Sequence, residues 1–330
     1  MSMKKMLFVY NPRSGKGLIK HNLFEIINIF TEGGYEVTAY PTQRGYDCHD
    51  RIIEEAEDYD LLVVSGGDGT LSEAVQAIME GGLTVPIGYI PAGSTNDFAM
   101  SMGIPRDMTK AARGITDGVI FENDCGCFNG RYFSYVAAFG MFTDVTYETP
   151  QTTKNILGHA AYVLEGLRRL PSYKGIELTV EHDGITETGN FILGLVSNSR
   201  SVGGMAIKAL GRSDFDDGLL EISMVRTPTS PIVLQQTISE ILANRIGNDH
   251  FLVFSSSNVK ITSNDGVSWT VDGEAGGTHT EVEITCCKRA IRLMIQPDDK
   301  TDQQNETDRM RESMISSQEL LFEDQKGIEK

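Results

Sequence analysis

Over the first 120 positions, apolar residues come in short runs separated by polar, glycine-bearing breaks. Residues 6–10, 35–40, 61–64 and 85–90 form runs of strand length, apolar enough to be buried on both faces. Longer segments with helical spacing lie between them. Leu23, Ile26, Ile27 and Phe30 share one face of a helix over 18–30, which Gly33-Gly34 stops. Helices are expected over about 47–58 and 70–79, the second ending at Gly81-Gly82. Strand alternating with helix predicts a parallel α/β sheet covered on both faces.

Near Gly118 the pattern changes to many short β-like runs bounded by Gly, Asp and Asn: 131–137, 176–182, 188–196, 219–225, 258–263, 267–271 and 280–285. This reads as a second, mainly antiparallel, β-rich domain, interrupted by helical stretches over about 154–169 and 231–244. A last strand over 290–295 is expected to return to the first domain. The expected organisation is therefore an α/β domain over 1–120 plus about 290–300, a β-rich domain over 121–289, and an acidic tail over 301–330. Met310, Met314, Leu320, Leu321 and Phe322 are the tail's main apolar residues, which fits disorder or a weak helix.

Three polar loops fall at the carboxyl ends of predicted parallel strands, where such sheets bind ligands: 11–17, 65–70 and 91–97. Ser65-Gly66-Gly67-Asp68-Gly69-Thr70 leads from strand to helix. Glycines let its backbone approach a ligand closely, and a helix N-terminus favours an anion such as phosphate. Asp68 would repel a bare phosphate, so a role through Mg2+ or ordered water is expected. Asn11-Pro12-Arg13-Ser14-Gly15-Lys16-Gly17 is a second phosphate-loop candidate without Walker spacing. In the third loop, Ser94, Thr95 or Asn96 can cap the helix expected from Asp97 while contacting a ligand.

Two acidic turns lie in the β-rich part. Asp214-Phe215-Asp216-Asp217-Gly218-Leu219 can hold a divalent ion, although its length is wrong for an EF-hand and composition alone favours a solvated turn. Asp272-Gly273-Glu274 puts two acids on a hairpin-like turn; if it faces the phosphate loops, one acid can serve as general base.

Composition narrows the partners. The 330 residues are 40% hydrophobic with a formal net charge of −17. That sign argues against non-specific nucleic-acid binding and against polybasic attachment to anionic lipid, leaving only local, apolar membrane contact. Cys125-Gly126-Cys127 and Cys286-Cys287 lack CxxC spacing and neighbouring His, and are expected to be buried or incidental thiols. Without a long apolar leader or a membrane-length apolar run, the chain is expected to be cytoplasmic.

The strings NPRSG, SGGDGTLSE, PAGSTNDFA, FDDGLL and VDGEAGG, in this order over residues 11–277, resemble the diacylglycerol kinase catalytic family, specifically its soluble bacterial lipid kinases. GGDGT alone is shared with NAD kinases; the later acidic turns narrow the resemblance. It implies ATP in a cleft between an α/β domain of NAD kinase/diacylglycerol kinase type and a β-rich domain. It implies ATP contacts by Asn11, Pro12, Arg13, Ser14, Gly15, Lys16, Thr42, Gly66, Gly67, Asp68, Gly69, Thr70, Leu71, Ser72, Ser94 and Asn96. Asp68 and Asp97 match a Mg2+–water network. Asp214, Asp217 and the Leu219 carbonyl match a structural Mg2+ site. Asp272 and Glu274 match the catalytic acids, with Asp272 taken as base and the roles open to exchange. The implied reaction is ATP-dependent phosphorylation of diacylglycerol to phosphatidic acid. The competing readings are another acceptor, phosphatidylglycerol-like or sphingoid, and a nucleotide-binding regulator without catalysis. A homodimer and transient peripheral contact with the membrane are also implied. The chain departs from the pattern after Phe98, where Ala99-Met100-Ser101 stands in place of an Arg often found in the nearest enzymes, and before Asp214, where Ala209-Leu210-Gly211-Arg212 lacks a common proline.

Overall fold

The computed structural model describes residues 3–140, 175–199, 201–202, 205–206, 215–242 and 249–296. The helix expected over 154–169, the 209–212 segment, Asp214 and the acidic tail lie outside the described residues.

The first part alternates β1 (Lys4–Tyr10), α1 (Ile19–Glu32), β2 (Tyr35–Pro41), α2 (Asp47–Glu55), β3 (Leu61–Gly66), α3 (Asp68–Gly81), β4 (Ile87–Pro91), α4 (Asp97–Ser101) and α5 (Met108–Thr116). The pairs β1–β2, β1–β3 and β3–β4 are parallel. Successive strand side chains point to opposite faces, and each face has its own cover. Leu7, Val9, Leu62 and Val64 pack with α2 and α3 residues such as Ile52, Val75 and Ile78. Met6, Phe8, Leu61 and Val63 pack with α1 and α5 residues such as Ile26, Phe30 and Ile115. All six residues of β3 and all five of β4 are buried; β2, expected to be buried on both faces, is instead the edge strand and leaves Glu36, Thr38 and Ala39 exposed. Asp107 caps α5 by accepting from the backbone N–H of Thr109 and Lys110 at 3.0 and 2.9 Å, a contact worth about 1 kcal/mol.

The second part contains β5 (Val119–Phe128), β6 (Arg131–Phe133), β7 (Val136–Gly140), β8 (Ile176–His182), β9 (Ile185–Ser197), β10 (Ser201–Val202), β11 (Met205–Ala206), β12 (Leu220–Arg226), α6 (Pro231–Leu242), β13 (Phe251–Ser256), β14 (Asn258–Val271) and β15 (Glu274–Ile295). Its strands run β13-β12-β9-β7-β14-β15, all pairs antiparallel. Trp269 is the largest buried side chain here, with the Phe139 and Phe128 rings 4.9 and 5.1 Å from it.

Strand β15 joins the two parts. It leaves β14 through a tight turn in which Asp272 and Gly273 both have positive φ, 49° and 78°, as a two-residue hairpin loop of the primed type requires. It then pairs antiparallel with β5 and meets β4 in parallel at Leu293 and Ile87. This corrects the two separate strands expected over 280–285 and 290–295. They are one 22-residue strand whose register with β5 breaks between Cys287 and Ile291, with Arg289 at φ 52°. The runs 258–263 and 267–271 are likewise one strand, and 131–137 is two. Strands β5 and β13 were not expected. In β5 the polar Glu122, Asn123 and Asp124 interrupt the apolar pattern, yet Asn123 and Asp124 are buried by long-range packing.

Candidate active site

The parallel strands end at one level. Tyr10 is in register with Pro41 and Ser65, and Gly66 with Pro91. The loops that follow therefore form one rim, and they meet backbone to backbone. A Cβ on Gly93 would lie 2.6 Å from the Gly67 Cα, and one on Gly15, whose φ is +52°, would lie 2.4 Å from the Ala92 carbonyl oxygen. Only glycine allows that approach. Hydrogen bonds tie the loops together: Gly67 N–H donates to Ser14 Oγ at 3.1 Å, Asn11 N–H to the Ser65 carbonyl at 2.8 Å, and Ala92 N–H to the Gly66 carbonyl at 2.7 Å. Asn96 takes a left-handed φ of 56° and folds its amide back on Gly93, accepting from its N–H and donating to its carbonyl. Arg13 N–H donates to Asn11 Oδ1. Thr42 N–H donates to the Tyr10 carbonyl, which brings the end of β2 to the same rim. Helix α3 starts here with no side-chain cap, leaving the positive end of its dipole toward the rim. The Leu71 side chain is in the core, so only its backbone can serve a ligand, while Ser72 and Thr70 are buried beside it.

Three carboxylates converge behind this rim. Asp68 opens α3, Asp97 opens α4 at 4% exposure, and Asp272 sits in the β14–β15 turn at 3%. Burial, then the Asp97 charge, pushes the Asp68 carboxyl up to about 6, with a smaller contribution from Asp272. The Tyr135 phenol is raised well above its ordinary value by burial and by Asp68, Asp272 and Asp97 together, which places all three acids around one buried ring. Such a group of like charges gains from a cation. Among the described residues, no three His, Cys, Asp or Glu side chains are set to enclose a metal directly. A hydrated ion held through one or two carboxylates, the habit of Mg2+, is compatible with that.

The two acids of the β14–β15 turn have opposite surroundings. Asp272 Oδ2 accepts from Ser134 N–H and Oγ–H at 2.7 and 2.9 Å, and Oδ1 from the N–H of Tyr135 and Val136, both at 3.1 Å. Burial raises its carboxyl, and these bonds pull it back down. Glu274 is half exposed. Its Oε2 is 3.1 Å from Arg131 Nη2, and its Oε1 lies 3.4 Å from where a Cβ on Gly69 would be, against the first turn of α3. A small concavity beside it is lined by Tyr46, Ser72, Glu73, Gln76 and Arg131.

The Phe215–Leu219 turn has a separate set of partners. Asp124, fully buried, accepts from Gly218 N–H and Arg289 N–H, both at 2.6 Å, and its own N–H donates to the Phe215 carbonyl. Asp217 Oδ1 accepts from Leu219 N–H, Lys288 Nζ donates to the Asp217 carbonyl at 3.0 Å, and Arg289 pairs with Asp216. Sequence reasoning missed Asp124, the Ser134–Val136 donors and Arg131. An acid inside the apolar 119–128 run was the available signal for Asp124.

Glycine loops around a helix N-terminus, backed by two carboxylates of the same part and one from a second, β-rich part, define a nucleotide-dependent phosphotransferase with two domains. Residues 5–128 match the diacylglycerol kinase catalytic domain, and residues 136–295 match the YegS C-terminal NAD kinase beta sandwich-like domain. The diacylglycerol kinase of Bacillus subtilis is 33% identical over 83% of this chain and 91% of its own length. That of Staphylococcus aureus is 34% identical over 83% and 87%. The crystal structure of a diacylglycerol kinase from Bacillus anthracis superposes with a TM-score of 0.71 at 20% identity, covering 90% of this chain and 98% of that one. The chain belongs to the diacylglycerol kinase family.

Proposed function

We propose that the chain transfers the γ-phosphoryl group of ATP to the free hydroxyl of diacylglycerol, giving phosphatidic acid and ADP. The observation that carries this reading is the convergence of Asp68, Asp97 and Asp272 directly behind a rim of backbone built by Gly15, Gly67 and Gly93. The rim and the start of α3 receive the phosphates, with Asn11–Lys16, Thr42, Gly66–Ser72, Ser94 and Asn96 as the nucleotide contacts. Mg2+, held through water by Asp68 and Asp97, would neutralise charge on the transferred phosphoryl group.

Of the two assignments left open for the hairpin acids, the surroundings of each favour the exchanged one. Four donors occupy the Asp272 carboxylate, so it holds β7 and the β14–β15 turn in place. Glu274, against α3 and open to a ligand, takes the hydroxyl proton as the lipid oxygen attacks phosphorus. Arg131 keeps Glu274 aimed by holding both its carboxylate and the Ala275 carbonyl. Asp214, Asp217 and the Leu219 carbonyl are the proposed structural Mg2+ ligands; of this stretch, Asp124 holds Phe215 and Gly218.

In this reading, residues 1–120 with the end of β15 form the α/β nucleotide domain, with a parallel sheet of NAD kinase/diacylglycerol kinase type. Residues 121–289 form the lipid and metal domain. No described helix is long and apolar enough to cross a membrane, so the lipid is taken by transient peripheral contact; pairing of chains through the β-rich part is checked by light scattering. The test of function is transfer of labelled γ-phosphate from ATP·Mg2+ to lipids in mixed micelles: diacylglycerol, monoacylglycerol, ceramide, sphingosine and phosphatidylglycerol, with NAD as control. Label in phosphatidic acid supports the proposal. Label only in another product moves the acceptor, and ATP binding without transfer overturns catalysis.

A further inference from the structure

Four of the five cysteines lie on β5 and β15, and the register sorts them. Cys125 is opposite Cys287, whereas Cys127 faces Thr285 and Cys286 faces Gly126. Directly opposed residues of an antiparallel pair have Cα atoms about 4.5 or 5.5 Å apart, within the ~4.4–6.8 Å span of disulfides. Each thiol shifts the protonation of the other. Cys125 is fully buried in the core under α3, and Cys287 is partly exposed at its edge. The β5–β15 register breaks directly after Cys287, with Arg289 in a left-handed conformation, so this is the last pair held in register before the bulge.

We propose that Cys125 and Cys287 are a redox-sensitive thiol pair that closes to a disulfide when a peroxide oxidises the protein. Cys287 thiolate attacks one peroxide oxygen; the O–O bond breaks, hydroxide leaves and a sulfenic acid forms. The Cys125 sulfur then attacks the Cys287 sulfur. The S–O bond breaks, and the hydroxide takes up the Cys125 proton as water. Two thiols lose two electrons and two protons, and hydrogen peroxide becomes two waters. The division of roles follows from environment. The hydrogen bond from Cys125 brings the Cys287 thiol down to about 7, while that same bond and burial push Cys125 up; the lower, more exposed thiol is the one an oxidant meets as thiolate.

The cross-link sits one residue from Asp124, the anchor of both Gly218 and Arg289. It closes the long segment from 125 to 287, constraining the unfolded chain and raising the thermal midpoint. None of this depends on the proposed reaction.

The test is to treat the full chain with hydrogen peroxide, block remaining thiols, and map disulfides by mass spectrometry with fragmentation of the linked peptides. A Cys125–Cys287 link is expected in the unmutated chain and in the Cys127→Ser/Cys286→Ser variant. It should be lost in Cys287→Ser and reversed by dithiothreitol together with a rise of several degrees in thermal midpoint. Cys287 passing to sulfinic acid with Cys125 still reduced, or a link through Cys127 or Cys286 in its place, overturns the proposal.

Discussion

In the parallel-strand part, the rim of the candidate site is made of backbone. Gly15, Gly67 and Gly93 touch main chain to main chain, and nearly every bond between the loops is donated or accepted by a peptide group. In the antiparallel part it is made of side chains: Asp272, Glu274, Arg131 and Asp124, each held by residues distant in the chain. A backbone rim is sensitive first to added volume and only then to charge. A side-chain site is the reverse, and within it one acid can be structural while its neighbour two residues on does chemistry.

The strongest way to break this contrast is at Glu274. Glu274→Gln should lower kcat by about 10²–10⁴-fold with an unchanged thermal midpoint, read by the phosphoryl-transfer assay alongside calorimetry. Asp272→Asn should do the opposite first: an amide turned toward four donors costs on the order of 3 kcal/mol of stability, read by urea unfolding. A stable, inactive Asp272→Asn beside an active Glu274→Gln would return the base to Asp272. Gly93→Ala comes next. Its Cβ would meet the Gly67 Cα at 2.6 Å, costing roughly 2 kcal/mol and raising the KM for ATP more than it lowers kcat.

The pH dependence at Asp68 sharpens the comparison most. The Asp68 carboxyl is raised to about 6 in the folded protein against an ordinary 3.8, so ionising it opposes folding. Its penalty is absent below about pH 4, grows as pH rises through 6, and persists above. Asp68→Asn should abolish activity by removing the proposed Mg2+–water contact, yet gain on the order of 3 kcal/mol over the parent at pH 8 without Mg2+, with no gain at pH 3.5. An equal gain at both values would place the effect in packing rather than charge.

Legibility in the sequence followed the same divide. The rim could be read because strand end, glycines, acid and helix start are consecutive from Leu61 to Leu71. The hairpin acids could be seen, but not told apart, because the four donors that occupy Asp272 come from Ser134–Val136, on the far side of β8 to β14. Strand β5 escaped notice because Glu122, Asn123 and Asp124 break its apolar run, and their burial depends on partners far away. The cysteines looked incidental for the same reason. Neither Cys-Gly-Cys nor Cys-Cys spacing carries information about a partner 162 positions along, and only the β5–β15 register pairs them.

The length of β15 has a mechanical consequence. One strand carries Glu274 at its start and, near its end, pairs with β4 at Ile87, the end of β4 away from the rim, so it acts as a beam common to both parts. Two lobes joined by such a beam cannot swing about a loose linker. Any change in the gap between Glu274 and the glycine rim has to be taken up as flexure of the beam, and the one joint along its pairing with β5 is the Lys288–Ala290 bulge.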